Sequence, residues 1–257
     1  MSEVAGTWVF LRGLVRQQKH WERFPQLFQE AFPRTRVEPL DLPGNGTLCD
    51  RSSPLSVGGM MESARSQLQR KGVSAPLNLL AISLGGMVAI EWLHRHGREV
   101  RSAVIINSSL RNVGNPLERL RPQNYPAILK ALVTNNSAEE REQLILDISS
   151  NLYPHKRELA AKWATYAHTH PTSSRNAIRQ MVAAARYRAP QHRPHDRVLL
   201  LSSAHDRLVN PVCSQRLAEK WGWPLVTHPR AGHDLPLDDG PWIIQQIQRW
   251  QRGELTS

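Results

Sequence analysis

The chain is poor in cysteine: Cys49 and Cys213 are the only two in 257 residues. Neither has a second Cys or a His at metal-ligand spacing. A disulfide framework and a zinc cluster therefore lack a basis, and two reduced, partly buried thiols are expected. Long apolar runs are lacking too. No stretch of about 18 apolar residues occurs, so no membrane span is expected. The opening residues MSEVAGTWVF have no basic segment ahead of an apolar one, so no secretory signal is expected and the cytoplasm is the predicted location. There is no G-x-x-x-x-G-K, no HExxH and no CxxC, which leaves nucleotides, cofactors and metals without support. Repeats and low-complexity tracts are missing. Basic residues outnumber acidic ones, 33 to 22, for a net charge of +11. The arginines are scattered and no basic run is interleaved with aromatics, so nucleic acid is not an expected partner; the charge would instead draw small anions to the surface.

What is present is a core-forming apolar content of 40%, enough for one large α/β domain or a core domain with an insertion. Strand patterns appear at Thr7–Leu14, Val37–Leu42, Leu77–Leu80, Ser102–Ser108, Arg197–Ser202 and Pro224–His228. Helical spacing falls between them, at Phe24, Leu27, Phe28 and Ala31, at Met60, Met61, Ala64 and Leu68, after Ser83, and near Val212–Trp221. A last helix starts at Asp238 or Asp239 and has Ile243, Ile247 and Trp250 on one face. This alternation predicts a mostly parallel sheet of about six strands with helices on both faces. Between Leu110 and Asp196 the rhythm breaks into proline-punctuated helices, far too long a segment for a connecting loop. The expected division is a core of residues 1–109 and 197–257 and a helical cap of residues 110–196.

The stretch Leu77–Trp92 reads LNLLAISLGGMVAIEW. A buried strand runs into a helix through Ala81-Ile82-Ser83-Leu84-Gly85-Gly86. A serine at this corner lies at the carboxyl edge of a parallel sheet, where ligands bind, and the following helix start offers free N–H groups. The pattern is one residue from G-x-S-x-G, with Ala81 in the first glycine position. Taken alone, it leaves two readings open: a nucleophile, or a serine that caps a helix. The rest of the chain bears on the choice. A serine nucleophile needs a histidine base oriented by a carboxylate. Asp206 lies just beyond the strand RVLLLS and His233 just beyond PLVTH, so both fall at the same sheet edge as Ser83. His205 would have to share a loop with Asp206 and is the weaker base. Asp234 is expected to be a local turn acceptor.

Over nearly its whole length the chain resembles the α/β-hydrolase superfamily. It is most similar to small bacterial members with a helical cap, which include carboxylesterases and the menaquinone-pathway succinyl-hydroxycyclohexadiene-carboxylate synthase. The resemblance rests on FLRGL at Phe10–Leu14, DLPGNG at Asp41–Gly46, AISLGG at Ala81–Gly86, the loop with Asp206, and AGHDLPLDD at Ala231–Asp239. It implies Ser83 as nucleophile, His233 as base and Asp206 as the acid that orients it. It further implies an oxyanion hole from the backbone N–H groups of Leu14 and Leu84. The usual first two strands of the fold have no counterpart here, which leaves six. Members with epoxide hydrolase or dehalogenase activity would need aspartate at position 83.

Some positions depart from the family pattern. Arg12 replaces the usual histidine before Gly13; it is either a salt-bridged structural residue or an added positive charge near the site. Asn45 stands where relatives often have histidine and is expected to hold a turn. In the cap, Arg175, Arg179 and Arg186 fall opposite an apolar face of Ala177, Ile178, Met181, Val182 and Ala185, as a solvated face would. Tyr153, Trp163 and Tyr166 either line the pocket or pack the cap, and Arg12, Tyr153 and Trp163 are the candidate pocket residues. The expected activity is a carboxylesterase that cleaves small to medium acyl esters through an acyl-enzyme, as a monomer or homodimer. A carbon–carbon lyase or hydrolase acting on an anionic substrate, and a non-catalytic binding protein of this fold, are the alternatives.

Overall fold

Six apolar runs form one sheet in a computed structural model that describes residues 6–133 and 137–255. The first five residues, on which the reading of the chain's start partly rests, lie outside the described residues. The strands are β1 (Gly6–Leu11), β2 (Thr35–Leu40), β3 (Leu77–Ile82), β4 (Val100–Ile106), β5 (Val198–Ser203) and β6 (Leu225–His228). Their order is β2-β1-β3-β4-β5-β6, and every pairing is parallel. Side chains alternate across the sheet as the strand period demands. Val9 and Leu11 of β1 face one side with Leu79 and Ala81 of β3, while Trp8 and Phe10 face the other with Leu80 and Ile82.

The first side is covered by α2 (Val57–Arg70), α3 (Leu84–His96) and α9 (Val212–Trp221), through residues such as Met60, Leu68, Ile90 and Leu217. The second is covered by α1 (Phe24–Ala31) and α10 (Leu235–Gln251), through Phe24, Phe28, Ile243 and Ile247. The chain leaves β1 toward one face and β3 toward the other. The crevice between their carboxyl ends is thus the switch point at which open α/β sheets bind ligands.

Among the boundaries that differ from expectation, two have a clear physical reason. The first strand stops at Leu11, not Leu14, because the chain turns out of the ladder there and Val15 takes φ 57°. The last helix is two helices joined at a kink. Asp239 is non-helical, Pro241 has no N–H to give, and the Asp239 carboxylate accepts from Trp242 N–H at 3.0 Å to restart the helix.

Between β4 and β5 lie α4 (Pro116–Arg119), α5 (Tyr125–Val133), α6 (Ala138–Ser149), α7 (Lys156–Thr169) and α8 (Ser174–Arg186). Helix α8 corrects the face expected from its sequence. Ile178 is 52% exposed, and the buried face carries Asn176, Ala177, Gln180 and Ala183. The polar members face inward because they hold the turns after β2. Asn176 Oδ1 accepts from Ser53 N–H at 2.9 Å, and Gln180 Nε2 donates to Asn45 Oδ1 at 3.0 Å. Asn45 also accepts from Thr172 Oγ1, so it ties the turn to the inserted helices. Arg175 and Arg186 are exposed, while Arg179 Nε donates to the Ser53 carbonyl.

Gly85 sets how closely α3 can approach β1. A Cβ there would lie 2.3 Å from the Leu11 carbonyl oxygen and 2.7 Å from that of Arg12. Both are backbone atoms and cannot rotate away. Gly85→Ala is therefore expected to cost about 3 kcal/mol, the upper end of overpacking, and to lower the melting temperature by about 6–12 °C in calorimetry. A melting temperature within about 2 °C of the parent would show that this contact is relaxed at no cost.

Candidate active site

Ser83 is the single residue between β3 and α3, with φ 57° and ψ −118°. For a residue with a side chain this conformation costs on the order of 1–3 kcal/mol, and the surroundings must enforce it. Ser83 N–H donates to the Ile106 carbonyl at 2.9 Å, and Ser108 Oγ donates to the Ser83 carbonyl at 2.8 Å. The Ser83 side chain makes no cap hydrogen bond to α3. Of the two readings its sequence left open, helix capping is thereby removed. Gly13 passes close by: a Cβ on it would sit 3.1 Å from Ser83 Cβ. Ala81, which replaces the usual glycine, is fully buried within the β3 ladder beside Leu11 and Ile105.

Asp206 lies beyond β5 and His233 beyond β6. The two meet with His233 Nδ1 2.7 Å from Asp206 Oδ2. The other carboxylate oxygen accepts from Leu208 N–H at 2.8 Å and Val209 N–H at 2.9 Å. Both lone-pair ends of the buried carboxylate are thus used, and its orientation is set. An ionised carboxylate only accepts, so Nδ1 carries the proton and Nε2 keeps its lone pair in the neutral ring. Burial pulls the His233 pKa down, but the charge and hydrogen bond of Asp206 outweigh it and hold the pKa above its ordinary value. Ser83, Leu84, Leu14, Arg12 and His233 line one cavity of about 760 Å³, with Asp206 behind the histidine. His205 is exposed on a separate groove with Arg121 and Arg230.

Three residues that support this arrangement were not singled out for it from sequence. Asn107, at φ 47°, donates through Nδ2 to the His233 carbonyl at 2.8 Å and accepts from Ser203 N–H at 2.9 Å, so it joins the ends of β4 and β5 to the histidine loop. Asp238 accepts from Gly232 N–H at 2.6 Å, Asn151 N–H at 2.9 Å, Leu152 N–H at 3.1 Å and Ser150 Oγ at 2.5 Å, which welds the same loop to the turn between α6 and α7. His228 Nδ1 accepts from Arg230 and Ala231 N–H groups at 3.1 and 2.8 Å. For Asp238 the clustering of polar residues in AGHDLPLDD was the available signal, but which loop it would reach is a tertiary fact.

Arg12 forks onto Asp234 through two hydrogen bonds of 2.9 and 2.5 Å, with both groups buried. Its guanidinium also lies 4.8 Å from the Trp21 ring centroid. This selects the structural reading of Arg12. It corrects that of Asp234, whose carboxylate is committed to a residue distant in sequence. Burial pushes the Asp234 pKa up, yet Arg12 overrides it and holds the carboxyl below its ordinary value. Arg16, also on the cavity wall, is similarly neutralised by Glu142 at 2.6 Å. Trp163 and Tyr153 are not wall residues. Trp163 is fully buried among Leu146, Leu159 and Ala160 and donates Nε1–H to Glu22 at 2.7 Å, and Tyr153 packs on that cluster. The amphipathic pattern of α7 could not distinguish this small core from a pocket. Apolar wall is provided instead by Ile128, Leu144, Ile145 and Met181.

Among the described residues no group of three or more His, Cys, Asp or Glu is placed to hold a metal, and no helix is long and apolar enough to cross a membrane.

The model of the alpha/beta hydrolase family matches residues 8–245. No curated protein matches the chain. Among solved structures, the chain is similar to a putative lipase from Acinetobacter baumannii at 19% identity, with a TM-score of 0.76 over 98% of this chain and 85% of the other. An esterase from Rhodococcus is similar at 20% identity, TM-score 0.72, over 97% and 91% of the two chains. The enol-lactonase of Burkholderia xenovorans is similar at 15% identity, TM-score 0.75, over 97% and 92%. At these identities the likeness is one of fold.

Removing Arg12 leaves Asp234 buried without its cation. Arg12→Met is expected to lose about 3–5 kcal/mol in urea unfolding, and Arg12→Met/Asp234→Leu to recover most of that loss. The sign of the pH dependence follows from the lowered Asp234 pKa. The pair's contribution is present above the ordinary carboxylate range and lost as pH falls through the folded-state value. A single variant as stable as the parent would contradict the pairing.

Proposed function

The chain belongs to the alpha/beta hydrolase family, and on that premise we propose that it is a serine hydrolase of the carboxylesterase type, cleaving small to medium acyl esters. The observation that carries the reading is the oriented Asp206–His233 pair on the same cavity as a serine held at φ 57° with its side chain free of capping. Ser83 Oγ attacks the ester carbonyl while His233 Nε2 takes its proton. Asp206 keeps the imidazole in the tautomer that can accept, and stabilises the imidazolium that results. The backbone N–H groups of Leu84, at the first turn of α3, and Leu14 receive the oxyanion; one such donor is worth about 2.7–4 kcal/mol in the transition state. The imidazolium then protonates the leaving alcohol. Water, deprotonated by His233, attacks the acyl-enzyme, and the acid departs from Ser83. Residues 110–196 act as the cap over this edge and supply the apolar walls that hold the acyl chain.

The carbon–carbon lyase or hydrolase reading drew on the basic surface and on Arg12; Asp234 neutralises Arg12, which removes that residue from its support. A purely structural or ligand-binding role leaves the strained backbone at Ser83 without a use.

With a panel of p-nitrophenyl esters, the parent protein is expected to turn over and Ser83→Ala to lose at least ~10³-fold in kcat. A fluorophosphonate probe should label the parent alone. Equal turnover by both proteins would reject the reading. The pH profile offers a separate check. His233 must be neutral to accept a proton, and its raised pKa places the acid limb of kcat/KM above the ordinary imidazole value of 6.5. Asp206→Asn removes the cause, so the limb should move to lower pH while kcat falls by about 10⁴. A limb unmoved in that variant would mean that another group titrates.

A further inference from the structure

Four of the arginines on the cavity wall fall into two kinds. Arg12 and Arg16 are cancelled by Asp234 and Glu142. Arg111 and Arg119 line the same cavity, and neither has a carboxylate partner among the described residues. Arg119 is fixed by backbone: it donates to the carbonyls of Ala185 at 3.2 Å and Ala184 at 2.5 Å, at the C-terminal end of α8. Arg111 is exposed, and its N–H donates to the Tyr187 carbonyl at 3.0 Å, so the two arginines flank the same helix end. That end offsets roughly half a unit of positive charge. Among the described residues no acidic side chain pairs with either arginine. Glu118 is taken by both terminal nitrogens of Arg216, at 2.5 and 3.0 Å. The Cys213 thiol, pushed up to about 11 by burial, is neutral at pH 7. Burial and the like charge of Arg111 both lower the Arg119 pKa, as expected for two cations that share a site without a counter-ion. The same cavity wall includes the apolar Leu84, Met87, Leu120, Met181 and Ala184.

We infer that Arg111 and Arg119 form a seat for a carboxylate carried by the substrate, so that the ester this site takes is anionic: a half-ester of a dicarboxylic acid, or an ester whose alcohol part bears the carboxylate. This rests on the proposed ester hydrolysis and names its substrate class. The chemistry is unchanged. The acyl–oxygen bond breaks, water's oxygen ends in the released acid, and the second carboxylate takes no part in bond making. Its task is to anchor one end of an apolar chain while the ester lies at Ser83. Planar guanidinium groups suit a carboxylate in geometry as well as charge. The inference also gives a use to the orientation of Arg119, which spends two N–H groups on a helix end and keeps its charge at the wall.

The test compares p-nitrophenyl monoesters of succinic, glutaric and adipic acid with the neutral butyrate, pentanoate and hexanoate esters. A second arm compares 4-carboxyphenyl with phenyl acetate, to tell an acyl-side from an alcohol-side carboxylate. In one arm the anionic ester should be favoured in kcat/KM by at least ~10-fold, the scale of one charge-assisted hydrogen bond. Arg111→Ala should reduce that ratio ~10-fold and Arg111→Glu by ~100-fold, chiefly through KM, and raised salt should reduce it in the parent. Among the described residues the Arg111 side chain donates to no backbone carbonyl, so these variants orphan none of them. Arg119→Gln, with its fold checked by circular dichroism, should act in the same direction. No preference for the anionic ester in either arm, or a ratio that Arg111→Glu leaves unchanged, overturns the inference while the ester reading stands. Calorimetry with glutaric acid monobutylamide, which is not turned over, reads the seat independently of catalysis. Binding to the parent that is lost in Arg111→Glu supports the seat even if no ester is cleaved, and equal affinity in both overturns it.

Discussion

The close approach of α3 to the end of β1 is the constraint on which the rest of the site depends. With no side chain at Gly85, the helix start can lie against the Leu11 and Arg12 carbonyls. The chain then has one residue, Ser83, in which to turn from strand to helix, and that residue takes φ 57°. The same packing brings the loop after β1 alongside Ser83 and sets the backbone N–H groups of that loop and of α3 at one sheet edge. Gly86 extends the effect to the other side, where an added Cβ would meet Ser108 at 2.7 Å, and Ser108 in turn donates to the Ser83 carbonyl. The strain in one dihedral is thus held by contacts in three neighbouring segments.

Buried charge is the second organising factor. A basic chain must bring arginines near its cavity without leaving them uncompensated in low dielectric, where an unpaired ion costs several kcal/mol. Arg12–Asp234 and Arg16–Glu142 meet that requirement with partners from remote parts of the chain. Each pair also does mechanical work. Asp234 is next to His233, so Arg12 ties the loop after β1 to the loop after β6. Arg16 ties the first of these to α6. Arg111, which is exposed, and Arg119, which is half-buried and held by the end of α8, stand outside this pattern.

The inserted helices are joined to the core by polar contacts as much as by apolar ones. Asp238 binds the turn between α6 and α7 to the loop of His233, and Asn176 and Gln180 bind α8 to the turns after β2. These bonds explain why a helix with an apolar stripe by periodicity leaves Ile178 in solvent. The apolar stripe is only a tendency to bury area; buried amides with satisfied partners can take the inner position when the facing surface is a turn full of N–H and carbonyl groups.

By itself, the sequence determined the alternating architecture, six strands with helices on both faces, and the order of Ser83, Asp206 and His233 at strand ends. Local periodicity and turn chemistry suffice for that, because strand period, helix period and small residues at a tight corner are short-range properties. It could not decide partners. Arg12 with Asp234, Trp163 with Glu22, and Asp238 with the turn at Ser150 are pairings between residues far apart in the chain, and no local pattern encodes which buried charge meets which. The same limit applied to Trp163 on α7 and to Tyr153 in the turn before it, for an aromatic looks alike in sequence whether it faces a core or a cavity. Only the tertiary structure distinguished them, since burial is a property of the surface that the other elements present.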